Sequence, residues 1–206
     1  MKIIQLSVGQ LQANCFLAVE PNSNQCLIID PGDDADYIVQ AIGATKPKAI
    51  LATHGHFDHV MAASQLQLRY NISFYIDQKD QFLLDRIVST ARHFLGNIQV
   101  PPAPKNVTYF HQVDPNSLPF HLTVIPTPGH TPGSVSLLLK DENILFSGDL
   151  LFQGGGFGRT DFSYSSQPEL TQSINRILAL PPKTIIYTGH GEQTTIASEA
   201  KYWQQR

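Results

Sequence analysis

The chain has 206 residues, of which 42% are hydrophobic and 15% are charged, and its formal net charge is -3. These values are typical of one well-packed domain, which we expect to cover residues 1–206. Lysine and arginine form no run, so the charge pattern indicates neither a nucleic acid nor an anionic membrane as a partner. Gln5 and Ser7 interrupt the apolar run that a secretory signal needs, and no run is long enough to cross a membrane. We therefore expect a cytoplasmic protein with no evident protein partner.

The first third of the chain predicts a β-meander followed by a helix. Strand-like runs occur at 2–8, 14–20 and 25–30, separated by turn residues. The apolar periodicity of the chain predicts helices at 34–44, 60–70, 78–94, 167–180 and 194–204. The helix at 78–94 is expected to place four apolar side chains on one face: Phe82, Leu83, Ile87 and Phe94. Four further apolar strands are predicted at 49–53, 122–127, 143–148 and 184–189.

Several residues that carry reactive side chains receive no function from the sequence. Cys15 and Cys26 lie in neighbouring strand-like segments, far in sequence from the histidine clusters, so we expect buried free thiols. Lone histidines are more often surface or satisfied core residues than metal ligands. We therefore assign no role to His93, His111 or His121.

The segment THGHFDH, residues 53–59, crowds three histidines and an aspartate together in a chain that has eight histidines. His54 and His56 are two positions apart in an extended or turning segment, so their side chains can point to the same side. Asp58 and His59 turn the other way, into the next predicted helix. Imidazole and carboxylate without thiolate suit zinc, iron or manganese and disfavour a closed structural zinc site. The motif therefore predicts two adjacent sets of metal ligands.

Each of the four later apolar strands runs into a residue of ligand type beside glycine or proline. These residues are His54, His130, Asp149 and His190. Each of the last three, taken alone, would be interpreted first as a turn or capping residue. A carboxylate at the end of a buried strand is costly without a partner, however, and strands that end on one rim of a sheet bring their loops together. The pattern predicts one site assembled from four loops.

The predicted site has room for two divalent metal ions per chain, with zinc as the first choice and iron or manganese as alternatives. The ligands of the first ion are expected to be His54, His56 and His130. The ligands of the second ion are expected to be Asp58, His59 and His190. Asp149 has two carboxylate oxygens and is suited to bridge both ions.

The motifs of the predicted site, in their order and spacing, resemble those of the metallo-β-lactamase superfamily over nearly the whole chain: THGHFDH, TPGH, SGD and GHG. Three further segments are similar to those of small bacterial glyoxalase II-like (hydroxyacylglutathione hydrolase-like) enzymes: NCFL, DPGDD and GRTDF. The resemblance implies an α/β fold, the four-layer αββα sandwich of two mixed β-sheets flanked by helices, with a dinuclear metal centre at one edge. The β-lactamases of the family usually lack the last histidine of HxHxDH, so His59 argues against antibiotic hydrolysis.

The activity that the resemblance implies is hydrolysis of a small-molecule thioester, foremost an S-acylglutathione, by a metal-bridging hydroxide. Asp58 is the candidate catalytic residue that orients the hydroxide and takes its proton. Glyoxalase II enzymes use a basic residue near the position of Arg159 to hold the glycine carboxylate of glutathione, and guanidinium suits that task. A pair with Asp161 in the same loop is the alternative for this arginine. Glyoxalase II enzymes also carry a C-terminal helical domain that binds glutathione, for which we expect no room here, so the thiol carrier stays open.

Two other functions are compatible with the motifs. Persulfide dioxygenases look similar and use a single iron, held by the equivalents of His56, His130 and the neighbours of Asp149, with oxygen as co-substrate. A metal-binding module without catalysis is the third interpretation. It is disfavoured because storage and structural sites tend to saturate their coordination, whereas this site is open and mixed in its ligands.

Overall fold

A computed structural model describes residues 1–113 and 119–203. The chain contains two compact units, which we call unit 1, Met1–Val113, and unit 2, Asp114–Arg206. The expectation of one hydrolase domain over the whole chain stays a prediction. Within the described ranges, each helix is too short or too polar to cross a membrane.

The sheet of unit 1 has six strands that lie side by side in the order of the sequence. They are β1 (Lys2–Val8), β2 (Ala13–Glu20), β3 (Gln25–Ile29), β4 (Lys46–Leu51), β5 (Ser73–Ile76) and β6 (Val107–Tyr109). The first three form the predicted antiparallel meander, whereas β3 to β6 are parallel neighbours. The sheet is therefore mixed, and the carboxyl ends of β3, β4 and β5 lie along one edge.

The helices of unit 1 are α1 (Ala35–Ile42), α2 (Phe57–Val60), α3 (Ala63–Tyr70), α4 (Gln81–Asp85) and α5 (Ile87–Leu95), with 3₁₀ turns at Gln78–Asp80 and Phe110–Gln112. The single helix predicted at 78–94 is wrong, because Arg86 leaves helical geometry at φ -106° and ψ 4° between α4 and α5. This break changes the register of the apolar stripe. Leu83 and Ile87 are buried, but Phe94 is 47% exposed and Ala91 takes the inner position in its place.

The core of unit 1 is centred on β2, in which seven of the eight residues are buried. Cys15 lies in this strand and Cys26 in β3, and both are fully buried free cysteines, as predicted. Burial raises the pKa of both thiols, and the nearby carboxylate of Asp30 raises the pKa of Cys15 further. Neither thiol is therefore suited to act as a nucleophile or a ligand.

Unit 2 contains a five-stranded sheet and a separate two-stranded hairpin. Its elements are β7 (Leu122–Pro126), β8 (Val135–Leu139), β9 (Ile144–Gly148), β10 (Leu151–Phe152), β11 (Gly156–Phe157), α6 (Gln167–Leu178), β12 (Ile185–Thr188), β13 (Thr194–Thr195) and α7 (Ile196–Trp203), with a 3₁₀ turn at Pro119–His121. The last predicted helix extends to residue 204, which lies outside the described residues. The order of the large sheet is β13-β12-β9-β8-β7, and β10 pairs with β11.

Three strands of unit 2 run in the same direction. Strand β8 is antiparallel to both β7 and β9, and β12 is parallel to β9. The carboxyl ends of β7, β9 and β12 therefore lie at the same edge of the sheet. Helix α6 begins at the N-cap Ser166 and buries one face, formed by Leu170, Ile174 and Ile177. With a mixed sheet and helices in each unit, the α/β class is confirmed.

Candidate metal centre

The parallel pairing of β3 and β4 brings Asp30 and the THGHFDH segment to one edge of unit 1. Asp30 directly follows β3, and its carboxylate accepts hydrogen bonds from the backbone N–H and the hydroxyl of Thr53, both at 2.7 Å. The same carboxylate lies 3.2 Å from Nδ1 of His59. Asp30 was not predicted as a site residue. Its signal was present, because it ends a buried strand-like run and opens the DPGDD segment.

The contacts of Asp30 determine which nitrogen atoms of two histidines carry protons. The hydroxyl group of Thr53 donates its hydrogen bond to Asp30. The hydroxyl oxygen, which is 3.1 Å from Nδ1 of His54, therefore accepts a hydrogen bond from the N–H group at that position of the ring. Nδ1 of His59 faces a carboxylate and donates to it in the same way. Both rings therefore carry their lone pair on Nε2, the arrangement that second-sphere contacts impose on metal-binding histidines.

The ligand atoms within unit 1 have separations that suit a shared cation. Nε2 of His54 and Nδ1 of His56 are 3.2 Å apart. Two nitrogen ligands of one tetrahedral zinc ion, each at about 2.0–2.1 Å, lie roughly 3.3 Å from each other. Nε2 of His59 and Oδ2 of Asp58 are 3.8 Å apart, and the ligand atoms of His54 and His59 lie within 4.8 Å. These separations are compatible with two adjacent ligand sets, and the division of the residues between the sets stays a prediction.

A second buried aspartate, Asp80, fixes the backbone between the first two histidines. Its Oδ2 atom accepts a hydrogen bond of 2.8 Å from the N–H of Gly55. A Cβ atom on Gly55 would lie 3.0 Å from the carbonyl oxygen of Asp80 and from Cβ of Leu83, so the fit is close. Sequence reasoning missed Asp80, because it lies in a segment of helical periodicity, and it reaches Gly55 only through the parallel pairing of β4 and β5.

In unit 2, the three predicted ligands lie at one edge because each follows one of the three strands that run in the same direction. Oδ2 of Asp149 is 3.5 Å from Nε2 of His130 and 3.8 Å from Nε2 of His190. His130 is almost fully buried, whereas Asp149 and His190 keep partial exposure. Two imidazoles on either side of one carboxylate form a donor set that suits divalent zinc, iron or manganese.

The loop after Asp149 orients His130. Nδ1 of His130 donates a hydrogen bond of 2.8 Å to the carbonyl oxygen of Arg159, which can only accept. The lone pair of the ring therefore lies on Nε2, the atom that faces Asp149. Gly158 packs so closely that a Cβ atom there would overlap the carbonyl oxygen of Asp149 and lie 2.9 Å from His130 Nδ1.

The side chain of Arg159 is paired with Asp161, the alternative considered for it. Nε and Nη2 of Arg159 each donate a hydrogen bond of 2.6 Å to the carboxylate of Asp161. The guanidinium carbon lies 4.5 Å from the ring centre of Phe162. The pair raises the pKa of Arg159 and lowers the pKa of Asp161 to about 2, although 56% and 63% of the two side chains are exposed. Binding of a substrate carboxylate by Arg159 stays a prediction.

The structure thus brings together four predicted ligands within unit 1 and three within unit 2. They are His54, His56, Asp58 and His59 in unit 1, and His130, Asp149 and His190 in unit 2. The donor atoms and their separations fit divalent cations in each unit. The assignment of all seven to two particular ions stays a prediction. The three histidines that received no function are exposed: His93, His111 and His121.

Comparison with known proteins gives matches over almost the entire chain. The sequence profile of the Metallo-beta-lactamase superfamily matches residues 8–190. The probable metallo-hydrolase YqgX of Bacillus subtilis is 39% identical, and the alignment covers 97% of this chain and 94% of that protein. Hydroxyacylglutathione hydrolase GloC of Haemophilus influenzae is 36% identical, with coverage of 98% and 96%.

Two solved structures superpose closely on the chain. The crystal structure of BLEG-1 B3 metallo-beta-lactamase gives a TM-score of 0.86 at 34% identity and covers 97% of both chains. The crystal structure of TTHA1623 in a di-iron-bound form gives a TM-score of 0.86 at 32% identity, covering 97% of this chain and 98% of that one.

Proposed function

Because this chain belongs to the metallo-β-lactamase superfamily, we propose that it is a dinuclear metallohydrolase that cleaves a thioester, foremost an S-acylglutathione. The observation that carries the proposal is the position of Asp149. One oxygen atom of this carboxylate lies within 3.8 Å of the ligand nitrogens of both His130 and His190. These two histidines belong to different metal ions in the proposed centre, so Asp149 would bridge the two ions.

The proposed centre uses the seven ligands in two sets. His54, His56 and His130 would hold the first ion, and Asp58, His59 and His190 would hold the second. The tautomers support the role of these histidines as ligands, since His54, His59 and His130 each have a hydrogen-bond partner at Nδ1, which leaves the lone pair on Nε2. The likeness to a di-iron-bound protein supports iron as well as zinc.

The metal ions would lower the pKa of a bound water molecule, so that near neutral pH it would be present as hydroxide and could attack a carbonyl carbon. The residues of the chain do the rest. Asp58 keeps 16% exposure beside His59, where its carboxylate can orient that water and accept its proton. The leaving thiolate needs no proton from the protein, because a thiol has a pKa of about 8.5.

The substrate class is supported by the relative GloC, whose name specifies hydroxyacylglutathione hydrolysis. Arg159 is the proposed contact for the substrate carboxylate. To bind the substrate, the guanidinium group of Arg159 must replace the carboxylate of Asp161 by the carboxylate of the substrate. This replacement costs little, because the Arg159–Asp161 pair is exposed and exposed ion pairs are weak.

A second candidate activity is β-lactam hydrolysis, which the likeness to BLEG-1 favours. His59 was expected to argue against it. The purified, metal-loaded protein should therefore be assayed with a chromogenic cephalosporin as well as with the thioester. Hydrolysis of the cephalosporin with no thioester hydrolysis would replace the proposed function.

The decisive experiment combines metal analysis with an anaerobic assay. The purified protein, loaded in turn with zinc, iron and manganese, is given S-lactoylglutathione without oxygen, and the released thiol is measured. We expect about two metal ions per chain and thiol release, since water is the only co-substrate. About one iron per chain, with oxygen uptake on glutathione persulfide and no thioesterase activity under any loading, would instead establish the dioxygenase.

A further inference from the structure

The hairpin formed by β10 and β11, residues 151–157, connects the metal ligands of unit 2 to its last helix. The strands pair Leu151 with Phe157 and Phe152 with Gly156, which leaves a three-residue turn at 153–155. Gly154 and Gly155 of this turn have φ values of 81° and 79°, in the left-handed region that favours glycine. The hairpin begins two residues after Asp149 and leads into Gly158 and Arg159.

The hairpin and the residues that flank it contact all three ligand residues of unit 2. Asp149 precedes its first strand, and Gly158 after its second strand packs against the carbonyl oxygen of Asp149 and the ring of His130. The carbonyl of Arg159 then accepts the Nδ1 proton of His130. Phe152 meets the ring of His190 edge to face, with ring centres 6.1 Å apart. A shift of the hairpin would therefore move contacts of every ligand in this unit.

The closed end of the hairpin is held by Glu199, a fully buried residue of α7. Its Oε1 atom accepts the N–H of Gly154 at 3.1 Å, and its Oε2 atom accepts the N–H of Gly155 at 2.7 Å. The hydroxyl of Thr194 also donates to Oε1, at 2.6 Å. Trp203, one turn further along α7, packs against Phe157 with ring centres 5.9 Å apart. The carboxylate thus binds both amides of the turn at once.

A buried carboxylate is costly, and an apolar residue of similar size would stabilise a core better. The contacts of Glu199 point to a more specific role, because two of its three partners are the turn glycines and both adopt positive φ. Charge-assisted hydrogen bonds to backbone amides are among the stronger ones in proteins. Glu199 therefore restricts the turn to one geometry, and the short paired strands carry that restriction to Gly158 and Arg159.

We propose that Glu199 is a positioning residue for the metal ligands of unit 2, acting through the 151–157 hairpin on the orientation of His130. The inference rests on the proposed function only in taking His130 and Asp149 as metal ligands. Loss of a contact that orients a ligand typically weakens metal affinity by about 10- to 100-fold. We expect that range when the carboxylate of Glu199 is removed.

The test compares Glu199→Gln with Thr194→Val in the full chain. Glutamine keeps the volume, but its amide nitrogen donates where a carboxylate oxygen accepts, so at least one of the two turn amides loses its hydrogen bond to residue 199. Thr194→Val removes a bond to the same carboxylate without touching the hairpin. Zinc affinity by chelator competition should fall about 10- to 100-fold in Glu199→Gln and by less than about 3-fold in Thr194→Val.

Hydrogen–deuterium exchange of the metal-free proteins supplies an independent measurement. Exchange should rise in residues 151–159 of Glu199→Gln and stay at the wild-type rate in α6. Wild-type affinity and wild-type exchange in Glu199→Gln would overturn the proposal. Equal losses in both variants would overturn it too, because the effect would then come from general loosening of α7. Neither measurement uses a thioester. A wild-type protein without thioesterase activity would therefore contradict the proposed function but not the role of Glu199.

Discussion

The imidazole of His130 donates its Nδ1 proton to the main-chain carbonyl of Arg159 at 2.8 Å. Arg159 therefore contributes to the site through its backbone, while its side chain is turned to Asp161. Substitution of the side chain leaves the carbonyl in place. The backbone and side-chain contributions of this residue are for that reason experimentally separable.

Substitution of Asp149 and Asp58 should have different consequences for metal content. Asp149→Ala removes the carboxylate that contacts both His130 and His190, so metal and activity should be lost together. Asp58→Asn should leave the first ion bound and mainly lower kcat, by roughly 100-fold, which is typical for loss of a general base. Elemental analysis beside steady-state kinetics checks both variants. A fully metallated Asp149→Ala protein would contradict the dinuclear centre.

Removal of the Arg159 side chain should affect substrates according to their carboxylate. We expect Arg159→Ala to lower kcat/KM for a glutathione thioester on the order of 10-fold, chiefly through KM, because the contact is equal in ground and transition states. The effect is limited because the guanidinium group already donates two hydrogen bonds to Asp161, so substrate binding exchanges one carboxylate partner for another. Asp161→Asn is the matched variant and should lower KM slightly for the same substrate.

The control for this prediction is a simple thioester without a carboxylate, on which wild type and Arg159→Ala should have the same kcat/KM. Equal losses on both substrates would make Arg159 a structural residue. The proposal of a glutathione-type carrier would then lose its support from this position.

Two glycines of the segment after Asp149 should differ sharply in their tolerance of alanine. A Cβ atom on Gly158 would overlap the carbonyl oxygen of Asp149, so Gly158→Ala must displace Asp149 or His130. A Cβ atom on Gly156 would meet only the side chain of Phe152, at 3.3 Å. We expect Gly158→Ala to lose metal affinity by about 100-fold and Gly156→Ala to stay near wild type. Similar affinities in the two variants would show that the loop adapts freely.

The two cysteines should resist modification in the native protein. Burial raises the pKa of both thiols, so the reactive thiolate is scarcer than in an ordinary cysteine at any pH below that raised value. A chromogenic disulfide reagent at pH 8 should label neither Cys15 nor Cys26 within minutes, and both after addition of denaturant. Release of chromophore from native protein at the rate of a free thiol would contradict the buried positions.

Much of the site was predictable from sequence because its ligands follow apolar strands and are marked by local motifs. THGHFDH, and the strand ends before His130, Asp149 and His190, each carry their signal within a few residues. Asp80 and Glu199 carry no such signal. Asp80 reaches Gly55 across two parallel strands, and Glu199 reaches Gly155 across 44 positions of sequence. Long-range contacts of this kind depend on strand pairing, which local patterns do not specify.

The break at Arg86 shows a second reason why local patterns fail. The apolar spacing over 78–94 matches one continuous helix, but α4 and α5 form separate helices with different registers. Only packing decides between these two arrangements, so Phe94 was placed on the wrong face.

The neighbouring order of the strands in unit 1 has a consequence for how the chain acquires its metal during synthesis. The pairs β1–β2 and β2–β3 are joined by short turns, whereas each later pair closes only after a longer crossover. Local pairings form faster than distant ones. We therefore expect the N-terminal meander to fold first, before the chain has produced the strand that positions His54. Capture of the ions then becomes a late event of folding, and metal supplied only after synthesis is complete should still reach a competent protein.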